Sequence, residues 1–111
     1  MDYKKITFDQ AFSMMQELKI KNGKFAFIDI RRPDEFAAGH INGAILLPVY
    51  EIFEKMEEIF PDKNIPVFIY CRTGRRTIAG SLILIDMGYD VYDVGGIYDL
   101  PKDFEFCTII K

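Results

Sequence analysis

The chain has 111 residues, half of them hydrophobic, with 14 basic and 17 acidic side chains and a net charge of −3. That length suits one domain over residues 1–111, and the apolar content can bury a core of roughly 65% of the unfolded surface without disulfide staples. The acidic balance excludes a global basic field for nucleic acid. No apolar run approaches the roughly 18 residues that span a bilayer, so neither nucleic acid nor a membrane is an expected partner.

Met1-Asp2-Tyr3-Lys4-Lys5 lacks the apolar stretch of a signal peptide, and a cytoplasmic location is expected. Cys71, Cys107 and His40 are too few, and wrongly spaced, for a structural zinc site, so no metal is expected.

Helix-like and strand-like segments alternate, the pattern of an α/β fold with a parallel sheet. Thr7 and Gln10 form a capping-box pattern ahead of Ala11, Phe12, Met15 and Leu18, which predicts a helix from about Phe8 to Ile20. Asn22-Gly23 breaks it, and Phe25 to Ile30 reads as a buried strand. Pro33, Asp34 and Glu35 suit the first turn of a short helix that Gly39 ends. Ala44 to Leu47 is a short strand closed by Pro48.

From Val49, the positions Ile52, Phe53, Met56, Ile59 and Phe60 trace one face of a helix. Val67 to Tyr70 is continuously apolar, as in a central strand covered on both faces. Thr77 to Met87 is apolar nearly all round, which predicts a mostly buried helix stopped by Gly88. Asp90 to Val94 reads as a strand and Gly95-Gly96 as a turn, while Tyr98 to Lys111 has no clear period.

One segment concentrates chemistry: Cys71-Arg72-Thr73-Gly74-Arg75-Arg76-Thr77, between the central strand and the apolar helix. Ligands bind beyond the strand carboxyl ends of open α/β sheets. There a tight loop can aim backbone N–H groups inward, and the helix N-terminus adds positive potential. Gly74 supplies the positive φ that a sharp turn needs. These surroundings favour thiolate over thiol, the nucleophilic form of cysteine. Three guanidiniums beside a cysteine do not suit an inert core filler. Cys107, among Phe104, Phe106, Ile109 and Ile110, reads as structural.

Four residues separate Cys71 from Arg76. Cysteine phosphatases use one more, so the shorter loop suits a single extra sulfur on the cysteine better than a tetrahedral oxyanion.

With Asp29-Ile30-Arg31, Glu35-Phe36, Gly39-His40-Ile41-Asn42-Gly43-Ala44, Cys71 to Arg76 and Tyr92-Asp93-Val94-Gly95-Gly96 in this order, the chain resembles the single-domain rhodanese (thiosulfate sulfurtransferase) family. The resemblance implies a five-stranded, mainly parallel sheet flanked by helices. It implies a sulfurtransferase in which Cys71 takes sulfane sulfur from a small anionic donor such as thiosulfate, holds a persulfide, and yields it to an acceptor such as a thiol, thioredoxin or cyanide. No cofactor is implied.

On the same basis Arg72, Thr73, Gly74, Arg75, Arg76 and Thr77 form the substrate-binding cradle. Arg72 and Arg75 face the anion, and Arg76 turns inward to hold the loop. Asp29, Arg31, Glu35 and His40 support the site. His40 is read as structural, because an ionised cysteine needs no general base. A departure is Leu46, where family members often carry a polar residue. The competing functions are a non-catalytic carrier or binding module and a cysteine phosphatase or arsenate reductase.

Overall fold

A computed structural model of the chain describes residues 2–100 and the backbone of Ile109–Ile110. The elements in order are α1 (Phe8–Ile20), β1 (Ala26–Asp29), α2 (Pro33–Ala38), β2 (His40–Ile41), β3 (Ile45–Leu46), α3 (Ile52–Ile59), β4 (Pro66–Cys71), α4 (Arg75–Asp86), β5 (Asp90–Gly96) and β6 (Ile109–Ile110). Short 3-10 turns at Val49–Glu51 and Ile97–Asp99 precede α3 and follow β5. Among the described residues no helix is long and apolar enough to cross a membrane.

Four strands form one parallel sheet in the order β3-β1-β4-β5. The α/β fold agrees with the sequence reading, but the described sheet has four strands rather than five. At the open edge of β5 the N-terminal segment makes a single parallel bridge, Lys5 to Asp93. Ile6 N–H donates to the Asp93 carbonyl at 2.9 Å, and Asp93 N–H to the Lys4 carbonyl at 2.9 Å. The pairing stops there because Thr7, the next residue, is already the N-cap of α1. Its side chain accepts the Gln10 N–H at 3.1 Å and its N–H donates to Gln10 Oε1 at 2.9 Å, the reciprocal capping box. A separate antiparallel pair joins β2 to β6, with Ile41 opposite Ile109.

Alternation along the strands divides the core. Ala26, Ile28, Val67, Ile69, Cys71 and Val91 face α3 and α4 in an aliphatic cluster with Ile52, Met56 and Leu84. Phe27, Phe68 and Tyr70 face α1 in an aromatic cluster with Phe8, Phe12 and Met15. Phe27 and Tyr70 lie 5.4 Å apart by ring centroid, within the range where aromatic pairs add to burial. The buried face of α1 (Phe8, Ala11, Phe12, Met15) follows the i, i+3, i+4, i+7 spacing.

Two helices differ from expectation. In α3, Ile52 and Met56 are fully buried but Phe53 is 75% exposed, because only the narrow i, i+4 stripe of Ile52 and Met56 is buried and Phe53 lies about 100° round the helix from it. Helix α4 buries Thr77, Gly80, Ser81 and Leu84, while Ile78 and Leu82 are about half exposed. One side of α4 lies on the sheet and nothing among the described residues covers the other. Gly80 permits the close approach, since a Cβ there would sit 3.0 Å from Ile30 Cδ1. Gly95 and Gly96 also belong to β5 rather than to a turn.

The two apolar residues of α3 therefore differ in what they hold together. Met56→Ala is expected to cost about 2–4 kcal/mol and Phe53→Ala no more than about 0.5 kcal/mol, read as midpoint shifts in urea denaturation.

Candidate active site

The parallel register gathers the site. Asp29 stands opposite Tyr70 and Leu46, and Cys71 opposite Gly96, so the carboxyl ends of all four strands meet at one edge. From β1 the chain runs out to β3 on one side, then returns to β4 on the other, which makes the crevice between β1 and β4 the switch point. Cys71 ends β4 at that crevice.

Only Arg72, Thr73 and Gly74 separate β4 from α4. Gly74 is the N-cap of α4 with φ 92° and ψ 0°, left-handed backbone that side chains resist. This fold-back brings the Gly74 N–H to 3.0 Å from Cys71 Sγ. Thr77 Oγ1 donates to the Gly74 carbonyl at 2.8 Å and fixes the turn to the first turn of the helix. Cys71 itself is fully buried. Burial alone would suit a filler, but this sulfur also accepts a backbone N–H at the head of a helix. Among the described residues, Gly74 is the one loop residue whose N–H is bonded to the sulfur.

The three arginines have different surroundings. Arg76 forks onto Glu35, Nη1 to Oε1 at 2.7 Å and Nη2 to Oε2 at 3.0 Å. Glu35 Oε1 also accepts the Arg32 N–H at 3.0 Å. The hydrogen bonds from Arg76, with the field of its charge, outweigh burial and hold the Glu35 carboxyl down to about 2. Arg72 donates from Nε to the Tyr98 hydroxyl at 2.7 Å. Arg75, the first residue of α4, is exposed, and its side chain has no hydrogen bond or ion pair among the described residues. Thr73, beside Arg72, is exposed as well.

On the β1 side, Asp29 and Arg31 make a buried bidentate pair, Nε to Oδ1 at 3.0 Å and Nη2 to Oδ2 at 2.8 Å. Arg31 Nη2 also donates to the Gly39 carbonyl at 2.6 Å, tying the end of α2 to the end of β1. His40 stacks on Phe36 at 3.6 Å, and its Nδ1 lies 3.0 Å from the Phe36 carbonyl. The Tyr70 hydroxyl accepts the Ile41 N–H at 3.1 Å, and burial, then the Asp29 charge, push that phenol well above its usual range. These bonds hold α2 where Glu35 meets Arg76. Asp29, Arg31 and His40 thus lie in the frame around the loop. Leu46 lies in β3 opposite Asp29, and Cys107 falls outside the described residues.

Two residues that border the loop were not among the expected site residues. A Cβ on Gly96 would sit 2.5 Å from the Thr73 carbonyl carbon and 2.7 Å from the Arg72 carbonyl oxygen, so β5 forms a wall that only glycine allows. The Gly-Gly pair at the strand end was its signal, although a close backbone approach reads like a turn in sequence. Tyr98, which binds Arg72, lies 26 residues away and carries no local signal.

A sequence model of the rhodanese-like domain matches residues 12–100. Over 79 residues the chain is 39% identical to the thiosulfate sulfurtransferase PspE of Escherichia coli K12, covering 68% of this chain and 76% of that one. It is 33% identical over 100 residues to the thiosulfate sulfurtransferase GlpE of Pseudomonas putida, covering 89% and 84%. A solved structure described as rhodanese with anions from E. coli superposes with a TM-score of 0.70 at 34% identity, covering 79% of this chain and 99% of that one. A rhodanese-related protein from Thermoplasma volcanium gives 0.70 at 26% identity, covering 86% and 87%.

The geometry sets two expectations. Glu35 carries a carboxyl held below its unfolded value of 4.5, so the stability it adds is complete above about pH 4.5 and is lost as the pH falls through about 2. The stability gap between wild type and Glu35→Gln, roughly 1–3 kcal/mol at neutral pH for a half-buried pair, therefore closes over that window in chemical denaturation. Gly96→Ala displaces the loop and is expected to lower the melting temperature by several degrees, checked by calorimetry.

Proposed function

The chain belongs to the rhodanese-like domain family, and from that premise we propose that it is a sulfurtransferase carrying sulfane sulfur on Cys71. The observation that carries this reading is the 3.0 Å bond from the Gly74 N–H to Cys71 Sγ, made at the head of α4 in a loop rich in arginine. The Cys71 thiolate attacks the outer sulfur of a small anionic donor such as thiosulfate. The new bond joins Sγ to that sulfur, the donor's own S–S bond breaks, and sulfite leaves with the electron pair.

The terminal sulfur of the persulfide then carries the negative charge. The Gly74 N–H and the positive end of α4 stabilise it, as oxyanion-hole donors stabilise charge on oxygen. A nucleophilic acceptor (a small thiol, a thioredoxin-like protein thiol or cyanide) attacks the terminal sulfur, and Cys71 leaves as thiolate. Arg75, exposed and without a partner among the described residues, and Arg72 attract the donor's charge. Arg76 is held by Glu35 and braces the loop. The turn of three residues between β4 and α4 leaves a cradle fitted to one added sulfur, which disfavours phosphate hydrolysis on the same cysteine.

Intact mass spectrometry after incubation with thiosulfate tests this directly. The wild type is expected to gain one sulfur atom that dithiothreitol removes, and Cys71→Ser to gain none. Absence of the gain in wild type, or hydrolysis of para-nitrophenyl phosphate faster than sulfur uptake, would overturn the reading.

A further inference from the structure

Tyr98 touches Arg72 at both of that residue's ends. Its hydroxyl accepts the Arg72 Nε–H at 2.7 Å, and its ring centroid lies 5.4 Å from the guanidinium carbon. Its backbone N–H points to the Arg72 carbonyl at 3.4 Å. The 3-10 turn that carries Tyr98 is itself anchored. It follows Gly96, whose backbone lies against Arg72 and Thr73, and its Ile97 packs on the aromatic cluster. Yet Tyr98 is 66% exposed, so its ring is not a core element.

Arginine binds oxyanions through pairs of parallel N–H groups. The bond to Tyr98 uses Nε and leaves the terminal Nη1 and Nη2 pair of Arg72 without a partner among the described residues. Arg76 is the opposite case, because both of its terminal nitrogens are taken by Glu35. Of the two guanidiniums available to an anion, Arg75 has no partner among the described residues to orient it and Arg72 is oriented by the phenol. Holding a long side chain in place before binding removes rotamer entropy that the anion would otherwise have to offset.

We propose that Tyr98 is a positioning residue for the anionic sulfur donor, holding the Arg72 guanidinium beside the cysteine loop so that its terminal N–H pair meets the donor's sulfonate oxygens. This rests on the sulfurtransferase reading and adds to it a residue selective for the donor half of the reaction. In a two-step exchange, kcat/KM for thiosulfate reports only the donor half and kcat/KM for cyanide only the acceptor half. A loss of general loop integrity would depress both, whereas loss of a donor clamp depresses the first alone.

The test measures both constants with thiosulfate and cyanide for wild type, Tyr98→Phe, Arg72→Ala and the double variant. Tyr98→Phe, which keeps the ring and removes the hydroxyl, is expected to lower kcat/KM for thiosulfate about three- to tenfold and to leave that for cyanide within about twofold. In the Arg72→Ala background the same change is expected to have no further effect. A parallel arm titrates thiosulfate into Cys71→Ser and into Cys71→Ser with Tyr98→Phe by calorimetry, where the second protein is expected to bind more weakly. Unchanged thiosulfate constants in Tyr98→Phe, an equal loss for both substrates, or a loss that persists in Arg72→Ala overturns the proposal. Should the wild type take up no sulfur, the sulfurtransferase reading fails, and the binding arm still decides: equal affinities overturn the role of Tyr98 and weaker binding in the variant upholds it.

Discussion

Three residues between β4 and α4 form the constraint on which the site depends. In so short a span the backbone must reverse at once, and it does so through left-handed geometry at Gly74. The reversal directs the N–H of Gly74, the last residue of the turn, back onto the sulfur at the strand end. A strand end, a cysteine sulfur and a helix N-terminus are thereby brought to one point without any long side chain having to reach. Because Cys71 and Gly96 are register partners, the neighbouring strand must end in a residue with no Cβ. Loop length, Gly74 and Gly96 are one constraint expressed at three positions.

Charge is the second matter the fold has to manage. Like charges gathered in one loop repel, and by more where solvent is excluded. The structure reduces this by giving Arg76 a carboxylate whose own position is set by α2. The buried Asp29–Arg31 pair and the Gly39 carbonyl hold α2 in turn. Arg72 receives a neutral phenol instead, which orients its charge without cancelling it. Among the described residues Arg72 and Arg75 thus keep no carboxylate partner, on a chain whose net charge is −3.

The sheet keeps chemistry apart from bulk. Aromatic side chains fill the α1 face, and aliphatic side chains with Cys71 fill the α3 and α4 face. Tyr70 and Cys71 are adjacent in sequence but point to opposite sides, as the period of a strand requires. Tyr70 turns its hydroxyl to the backbone of Ile41, and Cys71 turns its sulfur to the loop.

The local structure was legible in the sequence: α1 with its capping box, the central strand, and the cysteine loop with its positive-φ glycine. These are set by neighbours within a few residues, through backbone preference and apolar period. Tertiary structure decided what depends on distant partners. It left Phe53 at the surface and Ile78 and Leu82 half exposed, and ended the sheet's open edge in a single bridge at Lys5. It also made Gly96 a wall and gave Arg76, Arg72 and Arg75 different surroundings. Three arginines in one loop look alike in sequence because each carries the same charge on the same stem. What separates them is a carboxylate 41 residues before one and a phenol 26 residues after another, and only the packing of α2 and of the turn after β5 brings these within hydrogen-bond reach.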